Sequence, residues 1–185
     1  MIRTKADLNE YIRYEKNFYS TIGYKGKWHA FVTECEIGQI YRYIEALRYD
    51  EYYTNNRSMV HKILGIFWRR RHNKLGIKLG ISIPVNTFEC GIRIYHSQGI
   101  IVHKDARIGK NCTLHGFNCI GNNGKENNND RNTPIIGDNV DIGVGASIIG
   151  NIELADNIKV AAGAVVCKSC KKDGMTLKGI PAKDY

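Results

Sequence analysis

The chain has 185 residues and a net charge of +9, with 43% of residues hydrophobic and 24% charged, a composition typical of one ordinary domain or a small domain with an appendage. No apolar run approaches the roughly 18 residues that a membrane-spanning helix needs, so membrane insertion is not expected. The first residues are charged throughout, which makes a secretory signal unexpected and the cytoplasm the expected location.

The positive charge is concentrated in the first half of the chain. Residues 1–80 hold 15 basic and 8 acidic residues, and the remainder holds 12 and 10. A basic surface can meet nucleic acid, a membrane face or an anionic small molecule. The densest basic run is Trp68-Arg69-Arg70-Arg71-His72. No zinc-finger, RNA-recognition or basic-zipper pattern accompanies this run, so nucleic acid is not an expected partner and a solvated helix face is the simplest interpretation.

Residues 1–78 are predicted to form a helical N-terminal domain. Apolar residues recur at helical spacing over residues 4–20, 27–53 and 58–74, which predicts three or four helices. Thr4 and Asp7 have the spacing of a capping box at the start of the first helix. Fourteen of the 19 glycines lie at or after Gly80, which indicates that a region of different structure begins near this residue.

Residues 79–185 carry a six-residue repeat. The aliphatic positions that share this period are Val102, Ile108, Leu114, Ile120, Ile136, Ile142, Ile148, Leu154, Val160 and Val166. Small or apolar residues stand two places before most of them, at Ala106, Cys112, Val140, Ala146 and Ala164. This pattern predicts a coil of short strands whose aliphatic residues point inward and stack from turn to turn. Residues 121–135 break the period and are predicted to leave the coil as an excursion loop, where sites are often built.

The repeats resemble the left-handed parallel β-helix of hexapeptide-repeat acyltransferases. The expected fold is therefore an all-β left-handed β-helix preceded by the α-helical N-terminal domain. Residues 91–96, 99–102, 106–112 and 178–183 are similar to the serine acetyltransferase branch, including its shorter relatives in capsule and surface-polysaccharide gene clusters. The resemblance implies an O-acetyltransferase that uses acetyl-CoA as cosubstrate and transfers the acetyl group directly to a hydroxyl. It also implies a homotrimer with sites at its interfaces.

His96 is the candidate catalytic residue. Counting back in sixes from Val102 places it on the ladder, where a purely structural position would hold an aliphatic residue. An imidazole can take a proton from an attacking hydroxyl, and the resemblance implies that His96 is the general base. The family orients this base with an aspartate upstream, but the matching segment, residues 81–84, has no carboxylate. Either a backbone carbonyl or Glu89 is expected to take its place, or the base is expected to be less polarised.

The resemblance implies L-serine as the expected acceptor, with a sugar hydroxyl of capsule or lipopolysaccharide as the alternative. Where the family often places an aspartate against the amino acid, this chain has Tyr95, which suits a sugar ring better than an ammonium group. Arg131, in the loop, could hold a carboxylate. An acid from the helical half, such as Asp50 or Glu51, could meet the ammonium group. His115 follows the ladder residue Leu114 and should point outward, as a second substrate-binding residue or as a solvated one.

The resemblance also implies where coenzyme A binds. Backbone at small residues is expected to grip the pantetheine arm, and two lysines are expected to meet the phosphates: Gly143, Gly145, Ala161, Ala162, Gly163, Lys178 and Lys183. No metal is expected. The γ-class carbonic anhydrases share this coil and bind zinc through three histidines, but His96, His103 and His115 lack their spacing. A non-catalytic assembly coil is the other alternative, and an intact His96 speaks against it.

Overall fold

The computed structural model describes residues 1–56, 58–124 and 132–184, with the backbone alone at Asp184. The first part of the chain is helical. Its helices are α1 (Lys5–Thr21), α2 (Lys27–Thr33), α3 (Glu36–Asn55) and α4 (Met59–Leu79). A helical region at the N-terminus is thus confirmed.

Local side-chain chemistry determines where the helices begin and end. The predicted capping box is present, since the Thr4 hydroxyl accepts from the Asp7 amide at 3.1 Å and the Asp7 carboxylate accepts from the Thr4 amide at 2.8 Å. Gly80 ends α4 in the left-handed conformation, with φ of 64°. The helical spacing over residues 27–53 is divided between two helices, which agrees with the three or four helices expected. Glu34 takes a φ of 47° and separates α2 from α3, which lets α2 fold back so that Ala30 lies against Gly38.

Short strands follow the helices along the rest of the described chain. They are β1 (Ile81–Ser82), β2 (Arg93–Ile94), β3 (Ile100–Val102), β4 (Arg107–Ile108), β5 (Thr113–Leu114), β6 (Cys119–Gly121), β7 (Ile135–Ile136), β8 (Asp141–Ile142), β9 (Ser147–Ile149), β10 (Glu153–Leu154), β11 (Lys159–Val160), β12 (Val165–Val166), β13 (Thr176–Gly179) and β14 (Ala182–Asp184). From β3 to β12, successive strands go in turn to three parallel sheets, ordered β1-β3-β6-β9-β12, β4-β7-β10 and β2-β5-β8-β11-β13-β14. The chain therefore winds as a three-sided coil, and among the described strands β14 alone runs antiparallel.

The predicted aliphatic ladder forms the core of this coil. All ten ladder residues are at most 4% exposed, and the small residues two places before them are buried as well. Asp141 pairs with Lys159, so three six-residue units make one turn. Thr113 pairs with Asp141 across a longer stretch of chain, because the connection from Gly121 of β6 to Ile135 of β7 is longer than the other connections between these sheets. The excursion predicted over residues 121–135 stays a prediction, since residues 125–131 lie outside the described part.

The first turn of the coil departs from the period, and this overturns one prediction. Ile94 pairs with Leu114, whereas three regular units would end at Cys112. The reason is that the chain takes two more residues from Ile94 to Val102 than from Leu114 to Ile120. The ladder position therefore belongs to Ile94, which is fully buried. His96 lies in the longer turn with its side chain 70% exposed, so its predicted place on the ladder is wrong.

The helices and the coil share one hydrophobic core. Arg48 of α3, which is fully buried, pairs with Glu15 of α1 at 2.7 Å and with Glu51 at 2.8 Å. It also donates to the carbonyl oxygens of Phe88 and Glu89 on the coil side, at 3.0 and 2.7 Å. Every donor of this buried charge thus has a partner, and α1, α3 and the start of the coil are held to one another.

Candidate active site

One corner of the coil aligns four of the predicted site residues. The backbone amide of each donates to the next turn: Tyr95 to Leu114, His115 to Ile142, Gly143 to Val160 and Ala161 to Leu177. Each amide directly follows a strand of the same sheet, which contains β2, β5, β8 and β11. Tyr95, His115, Gly143 and Ala161 therefore form a column, one residue per turn, which we call the corner column.

Small residues keep this corner open beside the column. A side chain at Gly143 is excluded, because its Cβ would lie 2.6 Å from the amide nitrogen of Ala162. Gly145 and Gly163 turn the chain with φ of 71° and 67°, a conformation that glycine adopts without strain. A groove of about 300 Å³ follows the corner, and its lining includes His115, Asp141, Gly143, Val144, Ala161 and Ala162. Three of the predicted coenzyme A residues, Gly143, Ala161 and Ala162, thus line one groove with His115.

Two lysines stand at the end of the same column. Leu177 pairs with Val160, so the register places Lys178 beside Ala161. Lys183 of β14 is the cross-strand partner of Lys178. Both residues are exposed. The column therefore runs from Tyr95 at the helical end to two cations at the other end.

His115 is held rigidly in the column and points away from the core, as predicted. Its Nε2 lies 2.8 Å from the Asp141 carboxylate. Its ring stacks on Tyr95, with 5.0 Å between the ring centroids and 10° between their planes. Phe18 of α1 meets the Tyr95 ring edge to face, at 6.1 Å. The helical region thus braces the first two side chains of the column.

A carboxylate from the helical region contacts His96. Glu36, in the first turn of α3, places Oε2 3.5 Å from Nδ1 of His96. Its Oε1 accepts from the Ser97 amide at 2.8 Å and from the Ser97 hydroxyl at 2.9 Å. The hydrogen bond from the Ser97 amide lowers the pKa of Glu36, so this side chain is a carboxylate at neutral pH. A carboxylate only accepts, so Nδ1 of His96 is the donor in this contact.

The acids that the sequence suggested do not serve this site. Glu89 accepts from Tyr11 at 2.7 Å and pairs with the N-terminal ammonium at 3.2 Å, so its predicted role beside His96 is wrong. Asp50 and Glu51 are buried, Asp50 against His72 and Glu51 against Arg48, and neither is available to an ammonium group. Arg131 lies outside the described residues. Glu36 was missed because it lies far from His96 along the sequence and no pattern links the two.

Asn118 is a second residue that the sequence reading missed. It occupies the small position two places before the ladder residue Ile120 and is fully buried. Its amide nitrogen donates to the Gly143 carbonyl at 2.8 Å, and its oxygen accepts from the Gly116 amide at 3.0 Å. Asn118 therefore supports the turn beside the corner column from within. A polar residue in an otherwise apolar series was the available signal.

Among the described residues no three His, Cys, Asp or Glu side chains gather as a metal site would require. In that same part of the chain, the helices are all too short or too polar to cross a membrane.

Comparisons of sequence find serine acetyltransferases, and no family model matches the chain. A serine acetyltransferase of Buchnera aphidicola subsp. Acyrthosiphon pisum is 30% identical over 141 residues, which are 76% of this chain and 48% of the relative. The serine acetyltransferase of Staphylococcus xylosus is 36% identical over 95 residues, 50% of this chain and 43% of the relative. The chain thus spans less than half the length of these relatives.

Comparisons of structure find the same group of proteins. Soybean serine acetyltransferase superposes with a TM-score of 0.75 at 22% identity, covering 98% of this chain and 70% of that structure. The serine acetyltransferase of Neisseria gonorrhoeae in complex with serine gives a TM-score of 0.69 at 24% identity. A serine acetyltransferase in complex with CoA gives 0.63 at 23% identity. The chain therefore shares the fold of serine acetyltransferases across its helical region and its coil.

Proposed function

We propose that this protein is an O-acetyltransferase that moves the acetyl group of acetyl-CoA directly to a hydroxyl of a small acceptor, with L-serine as the favoured acceptor. The observation that carries the proposal is the contact of His96 with the ionised Glu36, beside Tyr95 at the head of the open corner column. Similarity to serine acetyltransferases in both sequence and fold supports the assignment. The coil is then a left-handed β-helix, as in the hexapeptide-repeat family.

In the proposed reaction His96 is the general base. Nε2 takes the proton of the acceptor hydroxyl while the hydroxyl oxygen attacks the thioester carbonyl. The new C–O bond forms, the C–S bond breaks, and the departing thiolate of coenzyme A recovers a proton. Glu36 holds the Nδ1–H tautomer and stabilises the imidazolium that forms, and general-base catalysis of this kind contributes roughly a hundred- to ten-thousandfold.

The corner column supplies the coenzyme A site in this proposal. The pantetheine arm is extended and carries amide groups, so it fits a groove where backbone is exposed between turns. Gly143, Ala161 and Ala162 leave that backbone accessible, and Gly145 and Gly163 form the adjoining turns. Lys178 and Lys183, at the end of the column, would meet the phosphates.

A sugar hydroxyl is the second candidate acceptor, and one observation favours it. Tyr95 is stacked face to face on His115 next to the base, so an aromatic surface stands where an amino acid would need an anion. Serine needs partners for both its ammonium and its carboxylate once they are desolvated. Tyr95 offers the ammonium no charge, and Arg131 remains the proposed partner of the carboxylate.

We also propose a homotrimer whose interfaces complete the sites, in the cytoplasm, with a helical domain over residues 1–78 and a β-helix domain over residues 79–185. The groove beside the corner column is open to solvent on one side, and a neighbouring coil would close it. Arg48 and the shared core argue that the two domains fold as one unit. Light scattering tests the assembly, and a stable monomer with full activity would exclude an interfacial site.

The decisive experiment measures thiol release from acetyl-CoA with L-serine, and separately with hexoses and nucleotide sugars. Saturable turnover with L-serine supports the favoured acceptor, and activity with sugars alone supports the second. His96→Ala is expected to lower turnover at least about a hundredfold while coenzyme A binding persists. Near-normal turnover of this variant, or no transfer to any hydroxyl acceptor by the wild type, would refute the proposal.

A further inference from the structure

Helix α4 has an apolar face that its own fold does not cover. His72, Leu75, Gly76 and Leu79 face the protein interior and are buried. On the opposite side Met59, Ile63, Ile66 and Ile77 are 66–85% exposed. At 3.6 residues per turn, these four side chains project within about 60° of one another. A surface helix normally turns its polar side to solvent, so this arrangement points to a partner on the outward side.

The same helix carries a strong and unbalanced charge. Its 21 residues include six Lys or Arg and no Asp or Glu. Arg69 forms an ion pair with Asp50, and Lys78 forms one with Glu34. Arg70 and Lys74 project among the exposed isoleucines, and neither forms an ion pair within the described residues. We call Met59, Ile63, Ile66, Arg70, Lys74 and Ile77 the outward face of α4.

From this outward face we infer that α4 lies on the surface of an anionic lipid bilayer. A helix that combines exposed large apolar side chains with Lys and Arg suits the boundary between headgroups and acyl chains. The isoleucines would enter that boundary, while the flexible Arg70 and Lys74 would reach lipid phosphates. The helix would rest parallel to the bilayer plane and would not span it.

Charge favours lipid over a second copy of the chain as the occupant. The proposed three-fold contact closes the groove beside the corner column with a neighbouring coil and assigns no partner to α4. In a two-fold contact the same patch meets itself, so Arg70 and Lys74 would face their own counterparts. Helix α4 has no acid to neutralise them. An anionic bilayer supplies phosphate charge next to an apolar layer, and the outward face is complementary to both.

The test is flotation of the full chain with vesicles of phosphatidylcholine alone and of phosphatidylcholine mixed with phosphatidylglycerol. Binding is expected only to the anionic vesicles and is expected to weaken with added salt. The double variant Arg70→Gln/Lys74→Gln should lose roughly 30-fold in partitioning, since each cation near such a surface contributes about fivefold. Ile66→Ser should also weaken binding, because it removes apolar area from the boundary.

Matched control variants distinguish binding through the outward face of α4 from binding through the net positive charge of the chain. Arg13→Gln/Lys16→Gln removes the same charge from exposed positions of α1, and Ile101→Ser removes an exposed isoleucine from the coil. Both are expected to float like the wild type, and thermal melting checks that all variants fold. The proposal would be overturned if the wild-type chain did not float with anionic vesicles. It would also be overturned if the charge variants of α4 and α1 lost vesicle binding equally. A change in self-association with Ile66→Ser, without lipid binding, would assign the face to a second copy instead.

Discussion

The coil and the helical region are stabilised by different kinds of core. Every turn of the coil repeats one rule, an aliphatic residue over an aliphatic residue, and its ten ladder positions are buried without a charge among them. The helical region buries charges instead: Arg48 with Glu15 and Glu51, and Asp50 with His72. A repeated apolar core spreads its stabilisation over many equivalent contacts, whereas a buried ion cluster concentrates it on a few groups that must all be present. The proposed catalytic pair takes one residue from each region.

The largest effect is expected from breaking the ion cluster. Arg48→Ala leaves Glu15 and Glu51 buried without their cation and frees the carbonyl oxygens of Phe88 and Glu89. We expect the free energy of unfolding to fall by about 3–5 kcal/mol. Denaturant unfolding at a fixed protein concentration measures it.

Arg42→Ala is the matched control for that substitution. Arg42 lies on the same helix, is only partly buried and makes one hydrogen bond, to Gln39. Its loss should cost about 1 kcal/mol or less. If the two variants lowered the free energy of unfolding equally, the buried ion cluster would not be what holds the helices to the coil.

A ladder substitution should cost somewhat less than the loss of Arg48. Ile142 is fully buried between Leu114 and Val160, and Ile142→Ala is expected to lower the free energy of unfolding by about 2–5 kcal/mol. Ile142→Val should cost about 0.5–1.5 kcal/mol. Ile101→Ala, at an exposed position of the coil, should stay within about 0.5 kcal/mol. The comparison between regions would fail if the exposed and ladder positions responded alike.

The pair that joins the two regions should give a smaller effect, on activity. Glu36→Gln removes the carboxylate beside His96, and the side chains of this pair are 45% and 70% exposed. A pair at that exposure is worth about 1 kcal/mol at most, so turnover should fall by about fivefold. The loss should appear in kcat with little change in the KM for acetyl-CoA, because Glu36 contacts His96 and lies outside the corner column that is proposed to bind coenzyme A.

The stability of this variant gives an independent check. The pKa of Glu36 is lowered by its hydrogen bonds to Ser97, so these bonds stabilise the fold at neutral pH and lose that contribution as the pH falls through the lowered pKa. Glu36→Gln should remove this acid dependence. Glu34→Gln removes the same charge two residues away, where the carboxylate pairs with Lys78. A kcat that fell equally in both variants would dismiss Glu36 as a positioning residue.

The smallest effect is expected from a local feature of the helical region. Thr4→Ala removes the N-cap of α1 and should lower the free energy of unfolding by about 1 kcal/mol. Thr4→Ser keeps the capping oxygen and should be close to neutral. If Thr4→Ala were as costly as Ile142→Ala, then α1 would be held mainly by its cap and not by the pairing of Glu15 with Arg48.

The sequence by itself determined the features that depend on neighbouring or periodic residues. The ladder and the capping box of α1 are repeated or local, so a single chain displays them. Tyr95, His115, Gly143 and Ala161 could be named from the family resemblance, but only the hydrogen bonds between turns show that they form one column. The six-residue period misplaced His96, because two extra residues in one turn shift the count without changing the composition.

Only the tertiary structure decided the contacts between residues that no period relates. Glu36 meets His96 because α3 begins against the first turn of the coil, and Arg48 meets Glu15 because α1 packs beside α3. Such pairs depend on the orientation of whole helices, which small free-energy differences between alternative packings determine. The outward face of α4 is of the same kind. Its residues are visible in the sequence, but which of two apolar faces is buried depends on where α3 and the coil lie.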